Sequence, residues 1–274
     1  MGSSIRPGLT DVPETMLVTL RNRAEEAQRS DGILDDKKAI EIYQSIDYDF
    51  DANFGKPDVV HALRAITFDK ELEAFLQRFP DGVVINLGEG LETQRYRINH
   101  PDVRWLTVDL PESIKVREKF ISPDEQYHHI ALSALDRSWF QQVPQDKPVF
   151  ITAQGLLMYF TEDEARNLIS DIFDYFPRCC LLFDTIPKWM SNLTTSKKGW
   201  APTKNYTAPK MPWGIDKSNI MPTFRQWVKK DVSIADIGYP SYPRFEFQWT
   251  YALFSISFFK RFAPSIVKLS YLDR

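Results

Sequence analysis

From residue 81 onward, short apolar runs alternate with stretches of helical period, a rhythm that few folds can accommodate. Residues 83–87, 103–109, 127–133, 148–153 and 179–184 read as strands, and 111–120 and 161–176 as helices. The second helix is opened by a capping box of Thr161 and Glu164. Strands this short and apolar are buried on both faces, which calls for a parallel sheet with helices above and below it. The spacing therefore predicts an α/β fold. A chain of 274 residues with 43% hydrophobic content can fill one such domain with additions.

The flanks read differently. Residues 15–28, 36–46 and 61–79 carry apolar side chains at helical spacing, the last stopped by Pro80, while 47–57 reads as a loop. After the fifth strand, residues 187–212 are rich in Ser, Thr, Lys, Trp and Pro and lack any period. A loop this long inside a compact domain is usually functional. Residues 216–229 read as a helix, 232–237 as a strand, 248–262 as a strongly apolar helix and 265–271 as a final strand.

Composition narrows the function classes. A net charge of -3 gives no basic face for nucleic acid, and Lys197, Lys198, Lys204 and Lys210 read as a solvated loop. No apolar run approaches a membrane span, and the N-terminus lacks a signal core, with Arg6 spoiling a myristoylation pattern. A cytoplasmic protein without a membrane partner is expected. The two cysteines, Cys179 and Cys180, are neighbours in one strand, so their side chains point to opposite faces and do not pair. Nothing suggests a metal site. His61, His100, His128 and His129 form no nucleophile–base arrangement, and neither a G-x-S-x-G elbow nor a phosphate loop is present.

Chemistry begins at the end of the first strand, in Asn86-Leu87-Gly88-Glu89-Gly90-Leu91-Glu92-Thr93. Two glycines at a strand–helix turn allow a tight bend and close approach to a ligand. Asp109 lies at the end of the second strand, about twenty residues on, where a carboxylate meets ribose hydroxyls. Asp109-Leu110-Pro111 equally fits a helix N-terminus, and the two roles are compatible. A dinucleotide site usually has a third glycine where this chain has Thr93. That favours S-adenosyl-L-methionine over a nicotinamide cofactor.

The segment 84–97 resembles the first motif of the leucine carboxyl methyltransferase family, in particular its bacterial branch of polyketide O-methyltransferases. The resemblance continues through Val108-Asp109-Leu110-Pro111-Glu112, Ser133-Ala134-Leu135-Asp136 with Trp139, residues 152–160, and Met211-Pro212-Trp213-Gly214-Ile215. It implies a Rossmann-like, seven-stranded, mostly parallel sheet with an N-terminal helical addition and an inserted lid segment. On that reading residues 1–80 form a helical lid region and 81–187 the cofactor-binding core. Residues 188–215 form a lid or substrate insertion, and 216–274 the remainder of the core.

The same resemblance implies roles for individual residues. Arg64 would reach the methionine carboxylate of S-adenosyl-L-methionine, with Asn86, Gly88 and Gly90 shaping the turn beneath it. Asp109 would hold the ribose, and Leu110, Leu135 and Asp136 would frame the adenine. Gln154 stands where many members have a Glu near the cofactor's amino group, and Tyr159 faces the substrate space. Glu89, Glu92 and Gln94 also depart from the usual pattern. Aromatic residues of the long segment, Trp189, Trp200, Tyr206 and Trp213, are expected as pocket walls for a small-molecule acceptor.

Methyl transfer from a sulfonium needs alignment and exclusion of water more than a catalytic base. A carboxylate acceptor is already ionised at neutral pH, so the expected reaction is O-methylation of a carboxylate or acidic hydroxyl of a small molecule. Two other readings remain open. One is a Rossmann-like binding or scaffold protein without turnover, and the other is a nicotinamide-dependent oxidoreductase.

Overall fold

The computed structural model describes residues 11–241 and 262–272. The apolar helix expected at 248–262 and the N-terminal signal and acylation readings fall almost wholly outside those residues. Four helices come first: α1 (Asp11–Ala27), α2 (Lys37–Ser45), α3 (Phe50–Phe54) and α4 (Val60–Arg78). Then follow β1 (Val83–Leu87), α5 (Gln94–Arg97), β2 (Arg104–Asp109), α6 (Pro111–Arg117), β3 (Tyr127–Ala131) and β4 (Val149–Ala153). The chain continues with α7 (Glu162–Tyr175), β5 (Cys179–Thr185), α8 (Lys188–Thr195), α9 (Lys217–Trp227), β6 (Ser233–Asp236) and β7 (Ser265–Tyr271).

The strands form one seven-stranded sheet in the order β3-β2-β1-β4-β5-β7-β6. β1 to β5 run parallel, and β7 lies antiparallel to both β5 and β6. The order reverses between β1 and β4, so a crevice opens at their carboxyl ends, the usual ligand position in open α/β sheets.

Alternation along each strand divides the core in two. Ile85, Leu87 and Cys179 face α7 and α9, against Ile169, Phe173 and Phe224. Val84 and Cys180 face α1 and α4, against Leu17, Phe68 and Phe75. The adjacent cysteines are therefore buried on opposite faces and remain free. The capping box at Thr161 and Glu164 opens α7. Two segments read as loops contain helices. Asp49 caps α3 by accepting from the Ala52 N–H, and α8 lies within 187–212. Among the described residues no helix is long and apolar enough to cross a membrane.

Candidate functional site

A cavity of about 510 Å³ opens at the crevice, bounded by the ends of β1, β2, β4 and β5 and covered by α1 and the start of α4. Its floor is the turn after β1. Gly88 and Gly90 have φ of 62° and 52°, a region disfavoured for residues with a Cβ. A Cβ on Gly90 would come within 2.9 Å of Met16 Cβ on α1, so the glycine also sets how closely the cover sits. Asp109 stands opposite. Its Oδ2 accepts from the Gly90 N–H at 2.7 Å and its Oδ1 from the Leu110 N–H at 2.7 Å. These two bonds, beside a third with the Ser113 side chain, hold the carboxylate against the turn. Burial pushes the Asp109 carboxyl above its ordinary range, offset in part by these two bonds.

Beneath the turn lies a second polar layer. Glu89 pairs with Arg117 at 2.9 Å and accepts from Asn86 Nδ2, also at 2.9 Å, and from Thr107 and Tyr127. Arg117 in turn donates to the carbonyls of Gly90 (2.6 Å) and Glu92 (2.9 Å). Asn86 is consumed here, between Glu89 and Thr152, and does not reach the cavity wall. Glu92 is bound by Arg23 at 2.6 Å and Arg97 at 2.8 Å. Burial opposes its ionisation, but the two guanidiniums outweigh burial and hold it at about 2. Thr93 is buried and donates to Asp36, and the helix that follows has a single turn.

The far wall carries a buried ion pair. Arg64 Nη1 donates to Asp184 Oδ2 at 2.9 Å, and Asp184 Oδ1 accepts from the Gly155 N–H at 2.5 Å. Two further buried atoms, Arg64 Nε and Gln154 Oε1, have no hydrogen-bond partner. A lone donor and a lone acceptor beside a guanidinium–carboxylate pair match the carboxylate and ammonium of an amino-acid end. With the buried Asp109 carboxylate at the end of β2 in the same cavity, the residues present fit S-adenosylmethionine.

The remaining wall is apolar and phenolic. Tyr159, Met158, Trp200, Tyr206 and Met211 line it together with Thr15 and Met16 of α1. Burial pushes the Tyr159 phenol above its ordinary range, outweighing a hydrogen bond with Thr15. Burial likewise raises Tyr206, whose ring meets Phe54 edge-on at 4.9 Å.

Of the residues expected at the site, the structure brings Arg64, Gly88, Gly90, Asp109, Leu110, Gln154 and Tyr159 into one cavity wall, along with Trp200 and Tyr206. It places others elsewhere. Leu135 packs on the core at the α7 face, and Asp136 is exposed, capping the 3-10 turn 137–142 through the Ser138 N–H. Trp213 is a core residue, its ring 5.6 Å from Trp227 of α9. Trp189 is 44% exposed on the outer side of α8, with its indole N–H donating to the Phe262 carbonyl. Sequence reasoning passed over Asp184, seen only as a strand end, and over the α1 face of Thr15 and Met16. The alternation of β5 offered the one available signal for Asp184, as a carboxylate at the carboxyl end of a fully buried strand.

A family model described as leucine carboxyl methyltransferase matches residues 16–173. The tetracenomycin polyketide synthesis O-methyltransferase TcmP of Streptomyces glaucescens is 32% identical over 192 residues, which cover 69% of this chain and 70% of that protein. The S-adenosyl-L-methionine-dependent methyltransferase dpfgK of Gibberella zeae is 29% identical over 197 residues, covering 64% of this chain and 66% of that one. The solved plantazolicin methyltransferase BamL, in complex with a triazolic desmethylPZN analog and SAH, is similar in fold. Its TM-score is 0.52 at 11% identity, over 96% of this chain and 100% of that one. With 158 consecutive residues under the family model and a cavity that fits the cofactor, the chain belongs to the leucine carboxyl methyltransferase family and is an S-adenosylmethionine-dependent methyltransferase.

Proposed function

We propose that the acceptor is a small, largely apolar molecule, methylated on a carboxylate or acidic hydroxyl oxygen. The observation that carries this reading is the division of one cavity between charged and apolar walls. Asp109, Arg64, Asp184 and Gln154 supply charge and hydrogen bonds, and Tyr159, Met158, Trp200, Tyr206 and Met211 supply a greasy, phenolic surface. The first set suits the cofactor. Asp109 accepts from the ribose hydroxyls, Leu110 and Ala134 flank the adenine, Arg64 meets the carboxylate, and Asp184 with Gln154 meets the ammonium.

Bound S-adenosylmethionine supplies a methyl carbon made electrophilic by its sulfonium, which passes to the acceptor oxygen as the S–C bond breaks. The protein's part is to align that oxygen and keep water out. Helix α1, seated on Gly90 through Met16, covers the cavity. Because burial raises the phenols of Tyr159 and Tyr206, both stay protonated at neutral pH and donate hydrogen bonds rather than accept a proton. Such donors hold an acceptor oxygen that is already ionised, which favours carboxylates and acidic hydroxyls over simple alcohols.

Titration calorimetry with S-adenosylhomocysteine, with NADH as a parallel control, tests the cofactor assignment. Saturable binding of the first alone, lost in Asp109→Ala, is expected. Binding of NADH, or of neither ligand, would overturn it. A methylation screen then compares aromatic carboxylic acids and acidic phenols with aliphatic alcohols, and turnover confined to the alcohols would sink the acceptor class.

A further inference from the structure

His61 belongs to no catalytic motif, yet it lines the same cavity. It lies in the first turn of α4, three residues before Arg64, and residues so spaced stand on one helix face with Cβ atoms about 5–6 Å apart. Its Nδ1 is bonded to Asn22 Nδ2 of α1 at 2.8 Å. The orientation of that amide is not free. Asn22 Oδ1 accepts from the Asp58 backbone N–H at 3.2 Å, a group that can only donate. The amide nitrogen must therefore face the ring and donate to Nδ1, which leaves the ring proton on Nε2. No protein group among the described residues is bonded to Nε2. Burial, then the charges of Arg64 and Arg23, keep the ring neutral, against a weaker pull from Glu92.

A neutral imidazole with Nδ1 occupied cannot act as a base and offers one directed N–H. Beside it stands Arg64, whose Nε–H is buried without a partner. The ring N–H and the guanidinium N–H belong to side chains on one helix face lining one cavity, a donor pair suited to a single anionic oxygen pair.

We propose that His61, held in its Nε2–H form by Asn22, is a second donor beside Arg64 for the carboxylate of the cofactor's amino-acid end. The inference rests on the assignment of Arg64 to that carboxylate. It makes the Asn22–His61 pair a positioning device that ties α1 to α4 and to the cofactor together.

Calorimetry on the full chain with two ligands separates the roles, S-adenosylhomocysteine carrying the carboxylate and 5′-methylthioadenosine lacking it. His61→Ala is expected to weaken S-adenosylhomocysteine by about tenfold, the size of a lost hydrogen bond to a charged group, and to leave 5′-methylthioadenosine unchanged. His61→Gln, which replaces the N–H with an amide donor, should recover most of the loss. Nitrogen NMR of the wild-type ring should show a pyrrole-type Nε2 whose proton signal moves on adding S-adenosylhomocysteine but not 5′-methylthioadenosine. Equal weakening of both ligands would mean a purely structural role and would overturn the inference. Wild-type binding of S-adenosylhomocysteine with unchanged affinity in His61→Ala overturns this inference alone, whereas absence of wild-type binding overturns the cofactor assignment with it.

Discussion

Tyr159 is the residue at which binding and chemistry come apart most cleanly. Its hydroxyl lies between Thr15 of the cover and the Arg64–Asp184 pair, and burial keeps it protonated. If it aligns the acceptor, Tyr159→Phe should lower kcat/KM for the acceptor by about tenfold, the scale of one hydrogen bond, while affinity for S-adenosylhomocysteine stays the same. A drop in cofactor affinity with kcat/KM intact would reassign the hydroxyl to the cofactor. At this scale the sequence was legible where a residue's place follows from a strand end. Gly88, Gly90 and Asp109 stand at the mouth because β1 and β2 end there. Asn86 lies one pleat too early and is consumed by Glu89 and Thr152. Asp184 escaped notice because its partner, Arg64, lies 120 residues away, beyond the reach of any local pattern.

Between elements, the cover is fastened to the glycine turn by buried charge. Arg23 of α1 and Arg97 of α5 both hold Glu92, and Arg97 also reaches Asp36 at 2.7 Å and Asp69 of α4 at 2.7 Å. Holding Glu92 at about 2 against an ordinary 4.5 contributes ~3 kcal/mol of stability. Above pH 4.5 the carboxylate is ionised in folded and unfolded chains alike and the whole contribution is present. As pH falls from there toward 2, the unfolded chain takes up the proton first and the contribution drains away. Glu92→Gln should therefore be markedly less stable than wild type at pH 7, with the gap in urea denaturation narrowing between pH 4.5 and 2. A gap that stays constant across that window would show that Glu92 is not the anchor. The helices themselves were legible where several turns repeat, as in α1, α4 and α7. Helices α3 and α8, with five and eight residues, are too short for a period to declare itself, and they start at the N-cap positions Asp49 and Pro187.

For the molecule as a whole, the sheet order places the ligand between two bodies of structure. The parallel strands β1, β2, β4 and β5 could be read nearly to their ends because each is a mainly apolar run buried in the sheet. The antiparallel direction of β7 could not, since it depends on pairing with both β5 and β6, a property of the assembled sheet. The cavity touches both bodies, the strand ends below and α1 with α4 above, so a ligand that fills it stabilises their junction as well as itself. Saturation with S-adenosylhomocysteine at a hundred times its Kd should add about 2.7 kcal/mol. For a chain of this size that raises the unfolding midpoint by about 5–10 °C. NADH at the same concentration should leave the midpoint unchanged. Limited proteolysis provides the spatial counterpart. If the cover and the sheet are joined through the ligand, cleavage around α1 should slow on adding S-adenosylhomocysteine in step with the thermal shift. A thermal shift without protection of α1 would place the ligand on the strand ends alone and remove the helical cover from the binding site.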